Sequence, residues 1–281
     1  MDDYQHLNGQ SRLLPPEISR NDVWISSWHE LIDLLYADSW RAQISRHRST
    51  FAFRGVSDAQ HDLRTTLARL GGDVVELERH ILRSFRKYAH RDAVPGDSDW
   101  NWLAVAQHYG APTRLLDWTY SPFVAMHFAT QRTEEFYLDG AIWCVDYSLT
   151  NQLLPQRLRD ILEEEGQNVF TAEMLSRAAT GPRGFDALSE EEFVVFFEPP
   201  SLDGRIVNQS ALFALKSNPV TGLDRWLTTH PTVYRRAIIP AALKWEVRDK
   251  LDQGGITERV LFPGLDGLSR WLTRYYTPRP S

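Results

Sequence analysis

The fold is decided by residues 106–130, which read AQHYGAPTRLLDWTYSPFVAMHFAT. The first part of this stretch is polar, and Gly110 and Pro112 predict that the chain bends there. Ser121 followed by Pro122 predicts a helix start, with serine as the cap and proline at the first helical position. The apolar residues that follow predict a buried helix over 122–132. The stretch therefore joins a polar turn, a short segment carrying Asp117, and a helix.

The start of this helix has two interpretations. The free N–H groups of a helix N-terminus attract anions, so a nucleotide phosphate could bind beside Ser121. Alternatively, Ser121 only caps the helix and Asp117 only braces a loop. The residues alone leave both interpretations open.

Upstream, residues 50–56 predict a short strand that contains Arg54 and Gly55 near its end. Glycine there allows close approach to the backbone, and arginine is a natural bidentate partner for a carboxylate or a phosphate. Arg54 could instead pair with a buried carboxylate such as Asp117. A further alternative makes Arg54, Asp117 and Arg114 a buried ion network that only holds the fold.

The remaining patterns predict one domain of helices and strands. A polar arm occupies residues 1–24, and a single domain spans 25–278 with a mostly helical insertion at about 150–192. Ser26 or Ser27 is a candidate helix cap, and Glu30 would complete a capping box if Ser27 is the cap. Residues 205–210 predict a polar turn. Further helices are predicted at 27–38, 73–91, 97–109 and 240–253, and further strands at 140–146, 193–198, 211–215 and 233–239.

Composition limits the function classes. The chain has 281 residues, a formal net charge of −6 and one cysteine. The acidic balance argues against broad electrostatic binding to nucleic acid or anionic lipid, and leaves a local basic cleft open. Cys144 alone excludes an intrachain disulfide and a cysteine-rich zinc site, and the scattered histidines predict no metal centre.

No stretch approaches the ~20 apolar residues that a membrane helix needs, and the N-terminal residues lack a secretory pattern. We therefore expect a cytoplasmic protein with no membrane partner. The sequence also lacks a P-loop, a dinucleotide-binding glycine motif, H-E-x-x-H and G-x-S-x-G. A phosphate site must then be built from strand ends and helix starts.

Two parts of the sequence resemble a known family, the FRG domain. They are Phe53-Arg54-Gly55 and the run Q-H-Y-G-x-P-T-R-L-L-D-W-T-x-x-P-x-x-A-x-x-F-A at residues 107–129. The resemblance extends over about residues 25–275. A second resemblance is to arginine-class ADP-ribosyltransferases, which place Arg-Gly at the end of a first core strand and a hydroxyl-bearing strand before an A-x-x-F-A helix. This resemblance implies an α+β fold, with an ADP-ribosyltransferase-like core of helices around a small split central β-sheet.

Carried over residue by residue, the second resemblance implies that Arg54 grips NAD at its pyrophosphate or nicotinamide ribose. Thr119 or Ser121 would hold the nicotinamide side of the cleft. The late-strand glutamate of those enzymes has three candidate positions here: Glu192, Glu198 and Gln209. The predicted catalytic residues are Arg54, His108, Asp117, Glu198 and Gln209. The predicted nucleotide contacts are Arg54, Gly55, Gln107, Tyr109, Thr113, Arg114, Trp118, Thr119, Ser121 and Arg205.

Two functions follow from these residues. The first is an enzyme that takes NAD as co-substrate, cleaves the nicotinamide–ribose bond, and passes ADP-ribose to a protein, a nucleic acid, a small molecule or water. The second is a catalytically silent FRG module that binds a nucleotide or a partner. The sequence does not identify the acceptor.

Overall fold

The computed structural model describes residues 20–89, 96, 98–201 and 203–279. The strands in these ranges are β1 Asp22–Trp24, β2 Trp40–Arg41, β3 Arg46–His47, β4 Phe51–Val56, β5 Leu115–Thr119, β6 Gly140–Asp146, β7 Val194–Phe197, β8 Ala211–Lys216 and β9 Tyr234–Ile239. The helices are α1 Trp28–Tyr36, α2 Val74–Ala89, α3 Asp99–His108, α4 Pro122–Ala129, α5 Tyr147–Asn151, α6 Gln156–Glu165, α7 Ala172–Ala178, α8 Pro182–Asp186, α9 Gly204–Asn208, α10 Leu223–Thr229, α11 Lys244–Gln253, α12 Glu258–Leu261 and α13 Leu265–Tyr276.

The predicted α+β class is confirmed, but the sheet is larger than predicted. Within the described residues, seven strands form one mixed sheet in the order β1-β9-β6-β4-β5-β8-β7. Only β1 and β9 run parallel; the other neighbours are antiparallel. Strands β2 and β3 form a separate antiparallel hairpin. The sheet's centre, β4 beside β5, comes from the two stretches that the sequence singled out.

The two faces of the sheet are covered differently. One face carries a single apolar cluster that runs across all the antiparallel strands, from Tyr234 on β9 to Phe196 on β7, and packs against α10. The opposite face is divided. Helices α1, α4 and α11 cover β4, β6 and β9, whereas α3, α6 and α7 cover β5, β7 and β8. The boundary between these two helical layers lies over β4 and β5.

The ladder between β4 and β5 consists of one residue pair, Phe53–Thr119. A continued antiparallel ladder would place residues 54–56 opposite residues 116–118, but no ladder pair forms there although the structure describes all six residues. By contrast, β4 shares six pairs with β6. We call the place where β4 and β5 separate the joint. The pairing between β4 and β5 thus stops after one residue pair, within a sheet that remains continuous.

Helix α4 packs tightly onto β4 because Gly55 has no side chain. A Cβ atom added at Gly55 would lie 1.8 Å from the carbonyl oxygen of Ala125 and 2.7 Å from the backbone nitrogen of Ala129. Both are backbone atoms of α4 and cannot move aside. Glycine is therefore required for the contact between the strand and the helix.

Several local features differ from the sequence predictions. The last residues of the predicted arm, Asp22–Trp24, form β1 and pair with β9, while residues 1–19 lie outside the described residues. Residues 205–210, predicted as a polar turn, contain most of helix α9, which Asp203 caps through the backbone N–H groups of Arg205 and Ile206. The Glu30 carboxylate binds Ser26 rather than closing a capping box on Ser27.

The stretch at 150–192 contains helices α6 to α8, whose apolar side chains are buried against the sheet. Among the described residues, no helix is both long and apolar enough to cross a membrane.

Candidate functional site

A cavity of about 370 Å³ opens at the joint, where β4 and β5 no longer pair. We call it the joint cavity. Its wall comes from the end of β4, the start of β5, the segment after β4, Gln107 in the last turn of α3, and Arg132 after α4. The lining residues are Arg54, Val56, His61, Asp62, Arg64, Thr66, Arg69, Gln107, Leu115, Leu116, Asp117 and Arg132. Four guanidinium groups and two carboxylates therefore face one space.

Arg54 spans the joint. Its Nη1 atom donates a hydrogen bond to the backbone carbonyl oxygen of Asp117. The guanidinium group thus gives a partner to a carbonyl oxygen at a position where no ladder pair forms between β4 and β5. The Nε atom is buried and has no hydrogen-bond partner among the described residues. Burial lowers the pKa of Arg54; the charge of Asp117 opposes this shift and the charge of Arg69 adds to it. An anion in the cavity would relieve this unfavourable burial.

Asp117 projects from β5 into the cavity and is held by one neighbour. Gln107 donates from Nε2 to Asp117 Oδ2 at 3.0 Å. The orientation of that amide is fixed in turn by Thr113, whose hydroxyl donates to Gln107 Oε1. Thr113 is buried and does not line the cavity. Asp117 is thus an exposed carboxylate in a defined orientation.

The sequence predictions missed most of the cationic wall. Asp62 accepts hydrogen bonds from Arg64, at 2.6 Å, and from Arg69. Desolvation would raise the pKa of Asp62, but the bonds from Arg64 and the charge of Arg69 lower it overall. Arg132 pairs with Glu135 at 2.8 Å. The signal in the sequence was the pair of arginines in H-D-L-R-T-T-L-A-R, which follows the Arg-Gly strand within fifteen residues.

Several predicted nucleotide contacts lie outside the joint cavity. Arg114 is buried and bonded to Glu78, at 2.7 Å from Nε, and to Asp186. Gly55 packs against α4. Trp118 is on the opposite face of β5, where its ring meets Phe196 edge-on at 5.6 Å.

The hydroxyl groups before α4 serve the local backbone. Thr119 donates to the carbonyl oxygen of Gln209 at 2.7 Å and accepts from the N–H of Ser121. Ser121 caps α4 by accepting from the N–H of Val124 at 3.3 Å. The predicted cap is therefore confirmed.

The remaining predicted site residues are dispersed. His108 pairs with Asp203 at 2.8 Å, and Tyr109 is exposed beside it. Arg205 lies over the ring of Phe262 at 5.3 Å. For the late-strand candidates, Glu198 accepts from the hydroxyl of Tyr120 at 2.8 Å, Gln209 donates to the carbonyl oxygen of Leu261 at 2.9 Å, and Glu192 binds Lys216 and Asn218. None of these residues lines the joint cavity, all of whose lining residues the structure describes.

Comparison with known families selects the same part of the chain. The family model of the FRG domain matches residues 49–137. The match begins just before β4 and ends after α4, a shorter span than the predicted 25–275. Every residue that lines the joint cavity lies within it. No curated protein and no solved structure matches the chain, so the ADP-ribosyltransferase resemblance stays a prediction.

Proposed function

We propose that the FRG domain of this chain binds NAD in the joint cavity and acts as an ADP-ribosyltransferase-like enzyme. The reaction breaks the nicotinamide–ribose bond and passes ADP-ribose to an acceptor. One observation supports this most: Arg54 and Asp117, two residues implied by the resemblance, line one cavity together with Gln107 and three further arginines.

The charges of the cavity suit a pyrophosphate. Asp62 is already neutralised by Arg64 and Arg69, so the wall keeps an excess of positive charge. Arginine binds phosphate oxygens bidentately, and its affinity rises where water is excluded. Arg54 donates to a backbone carbonyl oxygen and forms no ion pair among the described residues, so its charge remains available to a phosphate. The apolar side chains of Val56 and Leu116 offer a surface for a base or a nicotinamide ring.

Asp117 is the group we assign to the chemical step. When the bond between C1′ of the ribose and the nicotinamide nitrogen breaks, its electron pair leaves with nicotinamide and positive charge develops on the ribose. A fixed carboxylate stabilises that charge. The acceptor then forms a bond to C1′ through an oxygen or nitrogen atom, and its proton passes to Asp117 or to water. Gln107 keeps the carboxylate oriented throughout.

A second function has its own support. The late-strand candidates Glu198 and Gln209 are engaged elsewhere, so the cavity depends on Asp117 alone for the chemistry we propose. A module that binds a nucleotide through its arginines and does not cleave it would need only the cationic wall.

The two functions are separated by incubating the purified protein with NAD, with and without cell extract as a source of acceptors. Released nicotinamide is measured by chromatography, and NAD binding by calorimetry. Release supports the enzyme. Binding of NAD without release supports the silent module, and absence of both binding and release contradicts the proposal.

A further inference from the structure

The hairpin formed by β2 and β3 projects from the domain at the far end of β4 from the joint cavity. Residues 42–49 of this segment are exposed, and its short connection places Ser45 in the left-handed region at φ 50°. Residues 39–57 contain no aspartate or glutamate, although the whole chain has a net charge of −6. The hairpin is therefore a local basic surface on an acidic protein.

Three arginines give the hairpin its charge: Arg41, Arg46 and Arg48. Arg41 donates to the carbonyl oxygen of Arg48 at 3.0 Å and to the hydroxyl of Thr50 at 2.9 Å. Arg48 donates to the carbonyl oxygen of His47. Within the described residues, none of the three forms an ion pair with a carboxylate. Uncharged oxygens fix two of the guanidinium groups and leave the charge of all three unneutralised.

The nearest carboxylate in the sequence does not change this charge. Asp38 precedes the hairpin, and it pairs with Arg235 at 2.6 Å. A surface that keeps arginines apart from carboxylates is complementary to a polyanion.

Exposed apolar groups lie among these charges. Trp40 is 53% exposed, and its ring lies 5.0 Å from the His47 ring in a T-shaped arrangement. Ile44 in the connection is 56% exposed. An aromatic face beside arginines is the combination with which proteins bind single-stranded nucleic acid: bases stack on the ring and guanidinium groups contact phosphates.

We propose that the hairpin, residues 40–48, binds single-stranded nucleic acid. Arg46 and Arg48 contact phosphates, Trp40 stacks on a base, and Arg41 holds the hairpin in shape. The site is separate from the joint cavity, because the hairpin precedes β4 whereas Arg54, the first residue of β4 that lines the cavity, lies about 10 Å along the strand from Phe51. The inference does not depend on NAD cleavage.

The test is fluorescence anisotropy of a dye-labelled oligothymidylate titrated with the full-length protein. Arg46→Glu is compared with Arg225→Glu, which makes the same change of charge at an exposed arginine on α10. We expect Arg46→Glu to weaken binding roughly tenfold or more and Arg225→Glu less than about twofold. Trp40→Ala should weaken binding by about fivefold or more, the effect of one lost stacking contact. The logarithm of the wild-type binding constant should fall with the logarithm of salt concentration with a slope of about −1.4, for two phosphate contacts.

Each variant is first checked for unchanged thermal unfolding, and nicotinamide release is measured in parallel so that the two sites are scored separately. Equal loss in Arg46→Glu and Arg225→Glu would overturn the inference, because binding would then follow net charge alone. Failure to bind the oligonucleotide at low salt would overturn it too. In that case, cosedimentation with phosphatidylserine vesicles, abolished by Arg46→Glu, would assign the hairpin to an anionic membrane surface instead.

Discussion

Arg54 on β4 donates a hydrogen bond to the backbone carbonyl oxygen of Asp117 on β5, at the point where the ladder between these strands has ended. The Arg54 side chain thus provides a hydrogen-bond donor for a backbone carbonyl oxygen of β5, and the joint cavity opens beside this contact. This single contact links the shape of the sheet to the joint cavity. It also brings Arg54 and the Asp117 carboxylate to the same cavity.

Replacing Arg54 should affect binding more than folding. We expect Arg54→Ala to raise the Kd for NAD by about tenfold to a hundredfold, because it removes a charged donor that forms no ion pair with a carboxylate in the part of the chain that the structure describes. The loss in unfolding free energy should be about 1 kcal/mol, the value of one hydrogen bond. Calorimetric titration with NAD measures the first effect and urea unfolding the second. A large loss of stability with unchanged binding would show that Arg54 only holds the fold.

Replacing Arg114 should affect folding more than NAD binding. Arg114→Leu leaves Glu78 and Asp186 without their partner, so we expect a loss of about 3–5 kcal/mol in unfolding free energy. Desolvation already raises the pKa of Glu78, opposed by the hydrogen bonds from Arg114. Without Arg114 this pKa rises further, and the loss should therefore be smaller at pH 5 than at pH 8.

A matched control for Arg114 is Arg177, which pairs with Glu164 and Glu165 on the surface. Arg177→Leu should cost at most about 1 kcal/mol, because exposed ion pairs contribute little. Equal effects of the two changes in urea unfolding would contradict the buried role of Arg114.

Gly55 should tolerate no side chain. Gly55→Ala forces a methyl group onto the backbone of α4, and we expect a loss of about 3 kcal/mol in unfolding free energy. Gly184→Ala is the control, since its Cβ would meet Ala179 at an ordinary 3.5 Å and should be near neutral. Thermal unfolding of both variants checks the difference. A stable Gly55→Ala protein that fails to bind NAD would instead make Gly55 a ligand contact.

The buried residue His127 makes the free energy of unfolding depend on pH. This residue is fully buried and interacts with Arg248 at 2.8 Å; burial first and the charge of Arg248 second lower its pKa from 6.5 to about 3. The unfolded chain therefore binds a proton between pH 6.5 and 3 that the folded chain does not. The contribution of neutral His127 is complete above pH 6.5 and is lost as pH falls toward 3, by up to about 1.4 kcal/mol per pH unit.

Urea unfolding at a series of pH values measures this effect. His127→Gln should show a shallower loss of stability over the same pH range, since glutamine can accept from Arg248 but does not titrate. Parallel pH profiles for the two proteins would mean that other groups control the acid sensitivity.

The local structure of the central elements could be predicted from the sequence. Ser121 and Pro122 marked the start of α4, and the alternation around Phe53 marked β4, because caps and strand patterns are encoded by neighbouring residues. The patterns also predicted a domain of helices and strands, and the resemblance implied its α+β class. The left-handed Gly110, at φ 80°, likewise ends α3 close to where the sequence placed it.

The partners of the charged side chains could not be predicted, because they come from distant parts of the chain. Arg114 pairs with Glu78 and Asp186, and each is tens of residues away. The same limit applies to the joint cavity. Arg69 and Arg132 are far apart in the sequence, and both line the cavity that opens where the ladder between β4 and β5 stops. A pattern of single residues does not encode where a ladder stops.

The measurement that tests the central claim most directly is nicotinamide release from NAD by the wild type and by Asp117→Asn, at saturating NAD. Asparagine keeps the size of the side chain and a group that can meet Gln107, but carries no charge. We predict that Asp117→Asn binds NAD within about threefold of the wild type and releases nicotinamide about a hundredfold more slowly or worse. Equal rates in the two proteins, with the variant folded, would contradict the assignment of the chemistry to the joint cavity.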